Sequence, residues 1–370
     1  MTLKQRLYDP TGVFLFVRGE VVGMNAKTRT ISHVSTLYQF FWVMVTVMGT
    51  GILLYNPVNR FSTTDTYPTL IPLTPQASIE FGGNPAEIKS GMYIRNFPEF
   101  DIVGGKFVID ATVWFKFNPR LVSLDRIGKF DVERVVQVKE KRGPFTRISG
   151  NELVAQYDIL MDVRIPLNYS LFPLDDHRIN FSVVNNFLLS TEGFFKSARD
   201  NLMVGNDVSV PGWNNVDKQV KTGYSVDKLE KNREENSISY HPKIIFSLDF
   251  QRAGIRNIIS IIVPLLLIYF IALATFSFDV NGPNAGSIIS VSIASITGTI
   301  GYRFVIESLA PSTGYFMISD YIFLYVLIAC CIVFGANLIK GGITYRHKQL
   351  IIGVLSSAFL VLMAWVLSII

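Results

Sequence analysis

The side chains best placed to do chemistry in this chain are small hydroxyls at helical spacing. Set on a helix at about 100° per residue, Ser287, Ser290, Ala294, Thr297, Gly301 and Ser308 fall near one line, and Phe304 falls with them. Their stretch, SIISVSIASITGTIGYRFVIESLAP, is long enough to cross a bilayer, yet it lacks the Leu and Phe of a lipid-facing helix. Hydroxyls and small side chains tolerate water, so a ring of such stripes would line a wettable ion path. The same pattern also suits close helix packing. A second stripe, Ser292, Ser295 and Thr299, lies on the opposite side, with Ile289, Ile293, Ile296 and Ile300 on one flank. Periodicity leaves open which stripe meets water.

Catalysis finds less to work with. The four His are scattered, and no metal-ligand spacing occurs among His, Cys, Asp and Glu. Cys330 and Cys331 are adjacent in an apolar run, a setting for packing rather than redox chemistry. No nucleophile–base pair or glycine phosphate loop stands out, so no enzyme, cofactor or metal is expected. A membrane enzyme with an outer catalytic domain therefore has no constellation to support it.

The elements that must position these residues follow from hydropathy. Half the chain is apolar (49%), only 17% is charged, and mean hydropathy is +0.34. The apolar residues gather in runs of roughly 20, the length a helix needs to span about 30 Å of hydrocarbon. Five runs are expected to cross the membrane: 37–55, 258–278, 287–309, 315–338 and 350–370. Lys4, Arg6, Arg18, Lys27 and Arg29 precede the first, and Lys340, Arg346 and Lys348 precede the last. The positive-inside rule puts both clusters in the cytoplasm, and residues 56–257 and the C-terminus outside. The net charge of +5 partly records this bias and does not point to nucleic acid. The first run begins far from the N-terminus and no small-x-small cleavage site follows it, so it reads as an uncleaved anchor.

Between the first two spans the pattern changes to period two. In KFVIDATVWFKF, Phe107, Ile109, Ala111, Val113 and Phe115 share one face. Similar alternation runs through 157–167, 177–184, 213–226 and 243–250. Short strands broken by Gly, Pro and Asn predict a β-sandwich or barrel. Gly104-Gly105 supplies a hairpin turn. The charged run 227–237 reads as an exposed arm joining two strands.

Three segments in order resemble the pentameric ligand-gated ion channels, the Cys-loop receptor family. LNYSLFPLDDHRINFSV places Phe172, Pro173, Leu174 and Asp175, then His177, as in the family's signature loop. The flanking Cys pair is absent, with Leu167 and Phe181 near its positions, as in prokaryotic members. FSLDFQR runs through Arg252 into a span. FVIESLAPSTGYFMISDYIFL is similar to the end of the pore helix, its Pro-containing linker and the next helix. The resemblance covers roughly 88–370. Its fold would be membrane α + β: a cytoplasmic segment 1–36, an extra anchor helix 37–55, a linker 56–87, an extracytoplasmic β-sandwich 88–252 and a four-helix pore domain 253–370. The anchor is not part of the family plan.

The resemblance implies a homopentamer in a prokaryotic inner membrane, gated by an unknown small molecule or partner protein. It selects the stripe Ser287, Ser290, Ala294, Thr297, Gly301, Phe304, Val305 and Ser308 as pore lining, with Phe304 or Val305 as outer constriction and Glu307 at the outer mouth. Arg303, four residues earlier, could pair with Glu307. No acid stands at the inner mouth, 284–287, so charge selectivity stays open. Phe172, Pro173 and Asp175 would couple the outer domain to the linker at Pro311, with Asp175 paired to Arg252. Ligand would bind near Phe187, Phe194, Phe195, Tyr224 and Tyr240, although aromatics in a β-domain are commonly core. The competing reading is a non-conducting receptor or scaffold whose bundle only oligomerises.

Overall fold

A computed structural model describes residues 34–72, 85–228, 238–279, 282–283, 285–339 and 343–368. The five N-terminal basic residues, the centre of the arm at 229–237, Asn284 and Lys340 lie outside the described residues. Among the described residues the chain divides into two compact units, one within 34–55, 259–306 and 319–368, the other within 56–258 and 307–318.

The second unit holds the sheets. Its strands are β1 (Ile71–Pro72), β2 (Ala86–Asp101), β3 (Lys106–Phe117), β4 (Asp131–Val132), β5 (Val135–Ser149), β6 (Glu152–Arg164), β7 (His177–Val184), β8 (Gly193–Lys196), β9 (Leu202–Val204), β10 (Trp213–Lys228) and β11 (Ile238–Arg252), with a short helix α2 (Leu124–Gly128) before β4. One sheet runs β1-β10-β11-β7-β4 and the other β5-β6-β3-β2-β8, with β9 beside β2. The alternating apolar residues form the core between them. Phe107, Ile109, Ala111, Val113 and Phe115 of β3 are all buried. Phe250 of one sheet meets Phe97 and Phe100 of the other at ring separations of 6.0 and 5.0 Å. Burying such rings accounts for much of the stability that a domain without disulfides needs.

Close packing fixes particular residues. Gly91 of β2 lies opposite Trp114 of β3, and a Cβ there would come within 2.4 Å of the indole and 2.6 Å of the Asn201 carbonyl oxygen. Gly91→Ala is therefore expected to lower domain stability by roughly 1–3 kcal/mol, read as a fall in the unfolding midpoint of the purified chain. An unchanged midpoint would mean the indole can swing clear.

Among the described residues, the first unit holds five helices long and apolar enough to cross a membrane. They are α1 (Thr36–Asn59), α3 (Arg256–Ala274, extended by a 3-10 turn through Ser277), α4 (Ala285–Leu309), α5 (Ile318–Leu338) and α6 (Tyr345–Leu367). At the centre Tyr269 of α3 stacks on Phe359 of α6 at 6.1 Å, and its hydroxyl lies 3.3 Å from Ser356 Oγ. Helix α1 packs on the same bundle. Gln39 Nε2 donates to the Leu273 carbonyl (3.3 Å), Ser277 Oγ donates to Gln39 Oε1 (2.7 Å) and Tyr38 donates to the Gln349 carbonyl (3.1 Å). Gly49 gives room to Leu360, and Gly353 to Trp42.

Several helix ends differ from the hydropathy reading by a few residues, and two of them are informative. The fourth apolar run was expected from 315, but α5 starts at Ile318, because Tyr315 and Phe316 belong to the linker. The last helix starts at Tyr345 rather than 350, which places Arg346 and Lys348 in its first turn. Lys348 is buried, and its ammonium reaches the Phe278 carbonyl at 3.4 Å.

Candidate functional site

The most concentrated set of buried charges lies around loop 165–176, between β6 and β7. Apolar residues hold the loop down: Leu171, Phe172 and Leu174 are buried. This fixes Asp175, itself 1% exposed. Arg252, at the end of β11, places Nη2 at 2.9 and 3.1 Å from the two Asp175 oxygens. Its guanidinium lies 4.5 Å over the Trp213 ring and 5.9 Å from that of Phe172. An arginine is suited to this place because its planar cation stacks and donates at once.

His177 extends the network. Its Nε2 is 2.8 Å from Asp175 Oδ2 and its Nδ1 is 3.0 Å from Asp65 Oδ2. With a carboxylate at each nitrogen, the ring is held as the doubly protonated imidazolium, the form in which both nitrogens donate. Burial opposes that charge, but the bonds to Asp175 and Asp65 outweigh it and push the pKa up to about 9. Asp65 also accepts from the backbone N–H of Asn168 (2.7 Å) and of Arg178 (3.0 Å). Asp176 accepts from the backbone N–H of Ser62 and of Arg252, each at 3.0 Å. Burial raises its pKa in spite of those two donors. Tyr169 donates to the Ile102 carbonyl, and burial among nearby carboxylates pushes its phenol above the usual tyrosine range.

The linker after α4 closes the site. Tyr315 presents its hydroxyl oxygen to the Tyr169 N–H at 2.8 Å, and the Ile318 N–H donates to the Ser170 carbonyl at 3.1 Å. Pro311 is buried in the same linker. The arrangement therefore joins loop 165–176, the end of β11 and linker 310–317 through directional bonds. A buried ion pair gives such a junction discrete rather than graded geometry.

The sequence-derived residues fall as follows. Phe172, Pro173, Asp175 and Arg252 come together, and Pro311 lies in the linker bonded to the same loop. Along α4, Ser287, Ser290, Ala294, Thr297, Gly301, Phe304, Val305, Glu307 and Ser308 are exposed on the single chain, whereas Ser292, Ser295 and Thr299 are buried. The buried stripe serves the chain's own helix bundle. Asn337 Nδ2 of α5 donates to Ser292 Oγ at 2.9 Å, and Thr299 Oγ1 lies 3.9 Å from Cys330 Sγ. Arg303 reaches Asp320 at the start of α5, a partner that local i,i+4 reasoning did not anticipate.

The five aromatics assigned to ligand have different settings. Phe195 is buried against Phe115 at 5.6 Å, so it is core. Phe194 and Tyr240 are half-buried, and Phe187 is exposed with the Lys129 ammonium 5.5 Å from its ring. Tyr224 lines a cavity of about 480 Å³ with Leu70, Ile71, Asp131, Glu133 and Lys243. There Lys243 Nζ lies 2.6 Å from both Glu133 oxygens.

Sequence reasoning missed Asp65, Asp176, Trp213 and Tyr315. Asp176 and His177 stand inside the quoted loop motif, so their place was signalled. Asp65 sits in an irregular segment more than a hundred residues from its partners and carries no local signal. No family model matches the chain, and no curated protein matches it.

Proposed function

We propose that this chain is one subunit of a homopentameric, ligand- or stimulus-gated ion channel of the pentameric ligand-gated type. In this reading the outer unit is a β-sandwich on the extracytoplasmic side of a prokaryotic inner membrane. Helices α3 to α6 form the pore domain, and α1 is an added anchor. Five copies of α4 surround the pore, with Thr297 at its midpoint and Phe304 and Val305 forming an apolar outer constriction that dewets when closed. Glu307 lies at the outer mouth. A ligand or partner engaging the outer domain at the cavity beside Tyr224 shifts loop 165–176, and the linker carries that shift to α4.

The observation that carries this reading is the fate of the two stripes on α4. One is consumed by contacts within the subunit. The other is left uncovered by its own chain, and a full-length row of hydroxyls and glycine is poorly matched to lipid. A ring of copies around water resolves that mismatch.

The test is electrical. Reconstituted Thr297→Lys should lower unitary cation conductance at least about threefold, since a ring of ammonium groups at the midpoint repels cations, or give anion currents in their place. Unitary currents identical in size and selectivity to those of the unsubstituted chain would place the ion path elsewhere. No current from either chain, with non-pentameric particles, would favour the receptor or scaffold.

A further inference from the structure

The segment that follows α1 does not simply tether the outer unit. Residues 61–72 lie along it as a strap, held at Ser62, Thr64, Asp65, Thr66, Tyr67 and Ile71–Pro72. The Asp176 N–H donates to the Ser62 carbonyl at 3.3 Å, and the Ser62 N–H donates to the Asp176 carboxylate at Oδ2, 3.0 Å away. Thr64 Oγ1 is 3.3 Å from Ser170 Oγ. Asp65, its side chain 4% exposed, enters the buried charge cluster. Asn180 Nδ2 donates to the Thr66 carbonyl at 3.4 Å. Tyr67 receives the Arg178 guanidinium at 4.6 Å and the Lys221 ammonium at 3.1 Å over its ring.

The strap then reaches the cavity. Ile71 and Pro72 form β1 and pair with Tyr224 and Gly223 of β10. The fit is so close that a Cβ on Gly223 would lie 2.0 Å from the Ile71 carbonyl oxygen. Thr69, Leu70 and Ile71 make one wall of the cavity that Tyr224, Glu133 and Lys243 line. Only three residues, 66–68, separate Asp65 in the charge cluster from the cavity wall. A chain held at both ends over so short a span has little slack, since extended backbone reaches at most about 3.3–3.6 Å per residue.

We propose that this strap is the transmitter between the cavity and loop 165–176, with Asp65 as the positioning residue that orients His177 and, through it, Asp175 toward Arg252. Asp65 touches neither the pore nor the cavity occupant. It acts by supplying the second carboxylate to an imidazole whose other nitrogen holds Asp175. Displacing the cavity wall pulls on Asp65, and the bond from Asp65 to His177 passes the displacement to the ion pair. The same strap is covalently continuous with α1, which gives the added helix a direct line to the junction. The inference rests on reading loop 165–176 as the coupling element of a channel.

Its test uses the full chain in lipid nanodiscs, labelled with ¹³C,¹⁵N-histidine, with the His177 ring followed through a pH titration by NMR. In Asp65→Asn the ring should lose its second proton about tenfold more readily or beyond, the effect of removing one charged hydrogen-bond partner. Asp65→Glu should restore most of that affinity. An unmoved titration in Asp65→Asn, or Glu behaving as Asn does, would overturn the positioning role. Leu70→Trp, which fills the cavity wall without touching the cluster, should also displace the His177 titration, and an unmoved ring there would overturn the transmitter. Single-channel recording of the same variants separates this from the channel reading. Asp65→Asn should change open probability at least threefold with unitary conductance unchanged. If no chain conducts, the channel reading fails, while the titrations still decide the strap.

Discussion

Arg252→Met is expected to lower the stability of the β-sheet domain by about 3–5 kcal/mol, the range for stripping one partner from a buried ion pair. The loss comes from what remains. Asp175 stays 1% exposed, with its two contacts to Nη2 gone and His177 as its remaining charged partner. The Trp213 ring also loses the cation lying 4.5 Å above it. Thermal unfolding of the full chain in detergent, followed by tryptophan emission, would report the change. Arg252→Asp should be worse, because a further carboxylate joins Asp65, Asp175 and Asp176. The swap Asp175→Arg with Arg252→Asp should recover only part of the loss, since the new arginine at 175 faces the His177 imidazolium that the aspartate once held. If each single charge reversal unfolds at the temperature of the unsubstituted chain, the pair carries no structural weight, and its place in coupling goes with it.

Alkaline pH should weaken the same domain. His177 has its pKa raised from an ordinary 6.5 to about 9, so the folded state binds its proton more tightly than the unfolded state. Such a group contributes stability that is fully present below about pH 6.5 and is lost as pH rises through about 9. The full amount is on the order of 3 kcal/mol for a ring with no exposed side-chain surface. Asp176, also raised, has the same sign at lower pH: its contribution is present in acid and fades on neutralisation. Tyr169 adds a term of that sign at the strongly alkaline end. The cluster as a whole thus retains protons on folding. Chemical unfolding of the chain at pH 6.5 and pH 9.5 measures the slope, and His177→Gln should flatten it. A domain equally stable at both values would show that the imidazole is not charged in the fold.

Several parts of this architecture were legible in the sequence for plain physical reasons. A helix apolar enough to cross hydrocarbon cannot hide its composition, so all five such helices among the described residues were visible, with errors only at ends. Two of those errors have a visible cause. Tyr315 and Phe316 extend an apolar run but are used by the linker, and Tyr345 to Gln349 carry charge yet continue the helix. Strand β3 was legible because it alternates. Strand β5 was not, since VVQVKEKRGPFTRIS is largely exposed and pairs only with β6, so no buried face imposes a pattern. The two stripes of α4 were visible as stripes, but which is buried depends on Asn337 and Cys330 from another helix. The charge cluster was half legible. Its loop had a motif, whereas Asp65 entered from a segment without periodicity, and only the tertiary fold brings it within 3.0 Å of His177. The aromatic grouping mixed core and surface because ring content alone does not tell Phe195 from Phe187.

The placement of α1 also bears on how the chain is made. Its partners are remote: Gln39 bonds to Leu273, 234 positions later, and Tyr38 to Gln349, 311 positions later. A helix long and apolar enough to cross a membrane is thus synthesised well before these partners and waits for them while the intervening chain is translated. Its buried hydroxyls are prepared for that interval. Thr46 donates to the Trp42 carbonyl at 2.8 Å and Thr50 to the Thr46 carbonyl at 2.7 Å, both within the helix itself. Such back-bonding leaves no hydroxyl donor stranded in hydrocarbon. The end near Gln39 and Tyr38 draws on later segments for its bonds, so it closes as a latch once Leu273, Ser277 and Gln349 have been made.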